Sequence, residues 1–437
     1  MIVIYSENIS NRLIYTFNVI FKYILKTSYK IVDLQTFENS KNQVCINYSS
    51  KKLKDCISII PHTILFEKDI NKQLISTEWK NDIPYFFKTN GNSLFGFDIF
   101  ASTFFMVTRY EEYFPENLDN HNRFKAEDSS AYKNNFLNLP VVNLWALDLK
   151  KEIAKIYPNY NFLQTKYNYI NSIDIDVAYA YKGKGVFRLF ASFVKSVITF
   201  NKSELKNRFK FVLKKRDIYN SYDFITKLQE KYNTTNYYFI NLGDYAKFDK
   251  NVHYKSKEIQ QLIEKITLNK KNKIGIHPSY ASNKNSIKIE IEKKRLEKLT
   301  NQRITSSRQH FLMLSFPNTY ENLLKNNITH DYTMGYASKV GFRAGICTTF
   351  PFFNIPKDKE ENLLITPFQI MDGTLNNYEN LNPEQAIEKI NTIITTIKKV
   401  NGTFVSLWHN SSLSETNEWE NWTIVYETLV KNASGEK

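Results

Sequence analysis

Cysteine is nearly absent: Cys45, Cys56 and Cys347 are the only three in 437 residues. An odd count with no CxxC pair supports neither a disulfide framework nor a zinc ribbon, and free buried thiols are expected. Glycine (12) and proline (11) are few. No low-complexity tract or fixed-period repeat is present, and a hydrophobic content of 42% excludes a disordered chain. No uninterrupted apolar run of about 18 residues occurs. The mostly apolar stretch Leu13 to Leu25 follows Arg12 and is broken by Lys22, so no membrane-spanning helix is expected. The opening Met1-Ile-Val-Ile-Tyr-Ser-Glu lacks a basic segment followed by an apolar one, so a secretory signal is not expected and the cytoplasm is the default location. GxSxG, P-loop, HExxH and GxGxxG patterns are missing too, which removes the usual serine-hydrolase, nucleotide, zincin and dinucleotide signatures.

What is present is a strong but local positive charge. The net charge is +15, and Lys182 to Arg216 holds eleven Lys or Arg against one acid, Glu204, giving +10 from one stretch. A block of this kind points to one basic element rather than a nucleic-acid surface, and no nucleic-acid partner is expected. Within Val186 to Phe200, Arg188, Ser192, Lys195 and Thr199 form one polar stripe and apolar residues fill most of the rest. The segment 183–216 is therefore either a helix packed on the fold beside a solvated basic helix, or a lid or peripheral membrane contact, since basic amphipathic helices bind anionic surfaces.

A chain this long accommodates two domains, here 1–160 and 161–437. In the first, Ser10 to Lys26 reads as an amphipathic helix with Ser10 as N-cap, Asp98 to Tyr113 as a core helix with a solvated or internally paired end at Arg109, Glu111 and Glu112, and 117–133 as a loop. From Tyr167 onward, strand-like runs (167–176, 237–243, 273–277, 307–312, 331–336, 341–348, 363–371, 402–409) alternate with helical stretches (223–232, 256–267, 287–306, 319–326, 383–400). That alternation predicts a parallel sheet or (β/α) barrel.

Polar side chains beside these runs are the candidates for chemistry. Asp174 and Asp176, two apart on a strand, face the same side and can converge on one metal or water, or else cap a loop. His277, after Lys-Ile-Gly-Ile, is a metal-ligand or proton-carrier type. Arg308 can fix a carboxylate or pair at the surface. His310 is a site member or a core histidine, and His409, after Trp408, can protonate a leaving group. Asp331, Tyr332, Arg343 and Asp372 lie near other predicted strand ends, with Arg343 flanked by Gly341 and Gly345.

The stretches DIFASTFFMVTRYEEY, NSIDIDVAYAYKGKG, IGIHPSYASN, SSRQHFL, DYTMGYASKVGFRAGIC, PFQIMDGTL and FVSLWHN, in this order, resemble the polysaccharide deacetylase superfamily (NodB homology, carbohydrate esterase family 4), in a bacterial branch with an extra N-terminal domain. The resemblance implies a distorted (β/α)7 barrel after a smaller α/β domain, and a hydrolase that removes N- or O-acetyl groups from a cell-surface glycan or its precursor with a divalent metal, zinc by preference. It also implies a role for each motif residue. Asp174 would be the base, Asp176 a metal carboxylate, His277 a metal histidine, Arg308 the residue that orients the base, and His409 the general acid. Tyr280, Arg343, Trp408 and Asp331 would contact an acetylated oligosaccharide or polysaccharide. Where the family places a second histidine, four residues after the first, this chain has Ala281. His310 is then the candidate third ligand, and a carbohydrate-binding pseudoenzyme is the alternative.

Overall fold

A computed structural model describes all residues except Lys41, Asn92, Asn201, Lys215, Arg216, Glu436 and Lys437. The chain begins with a parallel sheet of β1 (Ile2–Ser6), β2 (Tyr29–Val32), β3 (Val44–Tyr48) and β4 (Ile57–Ser58), in the order β2-β1-β3-β4. The Ser10 hydroxyl caps a helix over Asn11–Phe17 by accepting from Leu13 N at 3.1 Å, and a wider π-helical turn continues it over Asn18–Ile24. A short hairpin of β5 (Glu78–Lys80) and β6 (Ile83–Tyr85) follows. Asp98 then accepts from Phe100 N and Ala101 N and caps a helix, Ile99–Val107, in which every residue is buried. This helix stops where Arg109 turns left-handed (φ 53°). The end is internally paired, not solvated: Arg109 is fully buried and its guanidinium meets Glu112 Oε1 at 2.7 Å and Glu111 Oε1 at 2.8 Å.

The second sheet contains β7 (Asn168–Ile175), β8 (Asn236–Ile240), β9 (Asn272–Ile276), β10 (Ser306–Ser307), β11 (His330–Asp331), β12 (Phe350–Asn354), β13 (Lys359–Ile365), β14 (Ile370–Met371) and β15 (Thr403–His409). Their order is β12-β13-β11-β10-β9-β8-β7-β15-β14, parallel throughout except for β12 on β13. Within the stretch Lys359–Met371, Leu364 and Ile365 pair with β11, and Ile370 and Met371 pair with β15. Only five Cα steps separate Ile365 from Ile370, a span of at most about 17 Å, so the two ends of the sheet stand close and the nine strands curl into a half-barrel.

The strand expected over 341–348 is instead a turn. Gly341 (φ 138°) and Gly345 (φ 64°) pass so close to the N-terminal part that a Cβ would fall 2.5 Å from Leu137 O and 2.9 Å from Met106. The expected strands at 307–312 and 331–336 are only two residues long, the first ending in a tight turn at Phe311 (φ 59°) and Leu312 (φ 54°). One face of the curled sheet shares a continuous apolar core with the helices and with the N-terminal part, while Ile170, Phe239, Tyr332, Val405 and Leu407 of the other face belong to a second cluster. Tyr15 and Phe104 pack on Phe353 (4.9 and 5.5 Å between rings), so the N-terminal helices cover the edge strand β12.

In the segment 183–216, Asn201, Lys215 and Arg216 lie outside the described residues, as do the side chains of Val186, Phe187, Ala191, Lys195, Lys210 and Lys214. The segment forms two helices, Val186–Ile198 and Lys202–Lys214. Among the described side chains of the first helix, Phe190, Phe193, Val197 and Ile198 are exposed rather than packed on the half-barrel. No described helix is long and apolar enough to cross a membrane.

Candidate metal centre and active site

Strand register brings the distant motifs together. Ile175, Ile240, Ile276, Ser307, Asp331 and Ile365 pair in one row across β7, β8, β9, β10, β11 and β13. The next residue on each strand faces the opposite side of the sheet, which places Asp176, His277, Arg308 and Tyr332 along the inner rim. On the other flank of β7, His409 pairs with Asp174.

Asp176, His277 and His310 form a set whose ligand atoms all lie within 4.8 Å of one another. His277 Nδ1 donates to Arg308 O at 2.6 Å, because a carbonyl oxygen can only accept. Its Nε2 lone pair is therefore turned toward Asp176 Oδ1, 2.9 Å away. His310 repeats the arrangement. Its Nδ1 donates to Asp249 Oδ1 at 2.9 Å and its Nε2 faces Asp176 Oδ2 at 3.4 Å. Asp176 Oδ1 is buried without a hydrogen-bond partner among the described residues. Two imidazole acceptors converging on a carboxylate need a positive charge between them, and a backbone carbonyl or carboxylate behind each ring is the usual support of a metal-binding histidine. Without an ion, a proton on His310 Nε2 takes that place. Burial alone would lower His310, yet Asp176 and Asp249 push it up to about 9. Burial alone would raise Asp176, yet the charges of His310 and His409 hold it well below the usual carboxylate range. The donor set fits a divalent ion with three protein ligands.

The neighbours of this triad have separate partners. The buried Asp174 accepts from Arg308 Nη1 at 2.8 Å, and Arg308 also donates from Nε to Tyr332 O at 3.0 Å and stacks on Phe239 at 4.5 Å. That ring explains Gly275, where a Cβ would come within 2.6 Å of it. His409 donates from Nδ1 to Asp372 at 2.8 Å, leaving Nε2 3.5 Å from Asp176. Burial would lower His409, but Asp372 and Asp176 push it up to about 10, which favours its protonated form. Asp174, Asp176, His277, His310 and His409 line one cavity of about 150 Å3, with Leu407, Met371 and Ala337 as its apolar walls.

Four residues expected to contact substrate lie elsewhere. Trp408 is one position from His409 and therefore on the opposite strand face, packed on Tyr426 at 5.3 Å. Asp331 points outward with Ser307, whose hydroxyl it accepts at 2.8 Å. Arg343 pairs with Glu112 at 2.5 Å, its flanking glycines serving the contact with the N-terminal part. It lines an adjoining cavity and not that of the triad. Tyr280 is held in an aromatic cluster with Phe248, 4.4 Å between rings, and does not line the cavity of the triad.

Sequence reasoning missed Arg123, Asp249 and Glu292. Arg123 comes from the 117–133 loop, donates to Phe311 O at 2.7 Å and lines both cavities, so the N-terminal part contributes to the site. Asp249 accepts from Tyr280 N (2.8 Å) and Ala281 N (3.2 Å) as well as from His310. Position 281 thus supports a ligand through its backbone. Neither residue sits in a periodic pattern, so nothing local marked it. Glu292 accepts from Ser279 N at 2.9 Å and Ser279 Oγ at 2.5 Å, and so ties down the loop after His277. Burial, only partly offset by Ser279, pushes Glu292 up to about 7. A raised carboxyl pKa makes a stability contribution that is complete below the unfolded value near 4.5 and lost as pH rises through about 7. Glu292→Gln is expected to remove a pH-dependent loss of about 3 kcal/mol over that window, measured as a flatter plot of urea midpoint against pH. An unchanged slope would reject this.

Residues 2–158 match a family model described as a family of unknown function, DUF7033. No curated protein matches the chain. Among solved structures, the chain is similar to the crystal structure of a "putative polysaccharide deacetylase" from Mycobacterium smegmatis, with a TM-score of 0.40 and 10% identity over 62% of this chain and 85% of that one. At that score and identity, the likeness assigns neither fold nor activity.

Proposed function

We propose that this protein is a metal-assisted carbohydrate deacetylase of the NodB kind, removing N- or O-acetyl groups from a cell-surface glycan or its precursor. The observation that carries the reading is the pair of imidazole Nε2 atoms aimed at Asp176 with their Nδ1 protons committed to Arg308 O and Asp249. The reading counts Lys359–Met371 as one stave beside β7 to β11 and β15, for a seven-strand (β/α) barrel with the site at its C-terminal rim; the curl of the sheet supports it.

Asp176, His277 and His310 would hold the ion, zinc being favoured by two imidazoles and a carboxylate. When bound, the ion supplies polarisation of the acyl carbonyl and a more acidic water. Asp174, fixed by Arg308, accepts the proton of the attacking water. His409 Nε2, with Nδ1 committed to Asp372, donates to the departing amine or alkoxide. The apolar walls suit an acetyl methyl, and Arg123 and Tyr378 line the same cavity with donors for sugar hydroxyls. The carbohydrate-binding pseudoenzyme rested on a ligand lost at Ala281, and His310 standing in the triad weighs against it.

Zinc titration of metal-stripped protein tests this reading. One ion per chain is expected, and Asp249→Ala should weaken binding about 10–100-fold by freeing the His310 ring. No binding of zinc, cobalt or manganese by the wild type would overturn it.

A further inference from the structure

The helix pair Val186–Ile198 and Lys202–Lys214 is built inside out. Phe190, Phe193, Val194, Val197 and Ile198 recur at helical spacing and all face solvent, Ile198 being 70% exposed, and Phe200 after them is 84% exposed. In the second helix Phe209, Val212 and Leu213 do the same, Val212 at 72%. Among the described residues of the pair the buried positions are polar: Ser196 and Asn207 lie inside, and Arg208 Nη2 donates to Ser192 Oγ at 2.7 Å between the helices. A soluble helix pair turns its apolar stripe inward, and a contiguous exposed stripe marks a surface that another phase or molecule covers.

We infer that this pair is a docking surface for an anionic lipid bilayer. Charge selects the occupant. The stretch Lys182 to Arg216 carries +10, and its one acid, Glu204, is paired with Arg208 at 2.9 Å. Two copies meeting through this face would bring like charges together, Lys202 and Lys206 among them, so a second copy is disfavoured. Exposed Lys202 and Lys206 flank the apolar stripes, the pattern of a helix lying in the interface with its basic residues at the headgroups. At the base of the pair, Lys184, Arg188 and Arg208 line a cavity of about 570 Å3 together with Tyr181 and Tyr245, on which Arg208 and Arg188 stack at 5.1 and 4.2 Å. Glu204 lines it too, so three cations face one carboxylate, a net positive lining suited to a phosphate headgroup. Residues 177–185 alone join Asp176 to the first helix, and Asn410, next to His409, donates to Tyr219 O at 3.0 Å beside the same cavity. Docking therefore sets the rim of the catalytic cavity near the bilayer, whatever reaction that cavity performs.

The test is flotation of the full-length protein with phosphatidylcholine vesicles, with and without phosphatidylglycerol. The protein is expected to float with the anionic vesicles and not the neutral ones, and to dissociate as salt rises from about 0.1 M to about 0.5 M. The triple variant Phe190→Ser, Ile198→Ser, Val212→Ser and the double variant Lys202→Glu, Lys206→Glu should each lose at least about tenfold in partitioning, with unchanged circular dichroism and thermal midpoint. A wild type that stays at the bottom, equal flotation with neutral vesicles, or variants that float as well as the wild type would overturn the inference. The first of these would leave an acidic protein as the occupant.

Discussion

Asp174→Asn is expected to lower acetate release from an acetylated oligosaccharide by about 10²–10⁴-fold while zinc content stays at the wild-type level. The two readouts separate because Asp174 lies outside the triad: its Oδ2 is 3.8 Å from His277 Nε2, whereas Asp176 is 2.9 Å away. The asparagine carbonyl can still accept from Arg308 Nη1, so the orientation survives and the proton acceptor does not. His310→Ala should do the reverse first, losing the metal and with it the activity. If Asp174→Asn retained activity within about threefold, or lost zinc together with activity, the division of labour between the two aspartates would be wrong.

Glu112→Ala is expected to destabilise the fold by about 3–5 kcal/mol, read as the denaturant midpoint. Glu112 is buried between Arg109 (2.7 Å) and Arg343 (2.5 Å). Burial alone would raise its pKa, but the two guanidinium groups hold it low, so it is ionised at neutral pH. A lowered carboxyl pKa contributes stability above the unfolded value near 4.5, and that contribution disappears as pH falls through the folded one. Removing the carboxylate strands two buried cations, one on each side of the contact between the N-terminal part and the barrel sheet. The same contact brings the Arg123 loop to the cavity, so KM should rise along with the loss of stability. A shift below about 1 kcal/mol would show that Glu111 and Tyr336, which also contact Arg109, are sufficient partners.

Much of the barrel was legible because its signals are local. Asn272–Ile276 and Thr403–His409 fall within one residue of the expected strands, and Tyr222–Lys231, Lys257–Leu268 and Pro383–Lys399 within one of the expected helices. Apolar periodicity needs no knowledge of what packs against it. The strand β10 is shorter than its β-like composition suggests because the chain turns at Phe311 and Leu312. The substrate roles of Trp408 and Asp331 failed on alternation: each is one residue from an inward-facing neighbour, and period two sends it to the outer face. The apolar stripe of Val186–Ile198 was visible, but its direction was not, because the spacing of apolar residues along one helix does not state what lies opposite them.

By itself, the sequence determined which residue types could do chemistry: the carboxylate pair at 174 and 176, the histidines at 277, 310 and 409, and the arginine at 308. Spacing along one strand and strand-end placement are local properties. Only the tertiary structure decided that His310 joins Asp176 and His277, that Asp249 stands behind His310 where Ala281 has no side chain to offer, and that Arg123 reaches in from the N-terminal part. Those facts depend on inter-strand register and on loops far apart in the chain, and hydrogen bonds between remote segments leave no periodic trace in the residues that make them.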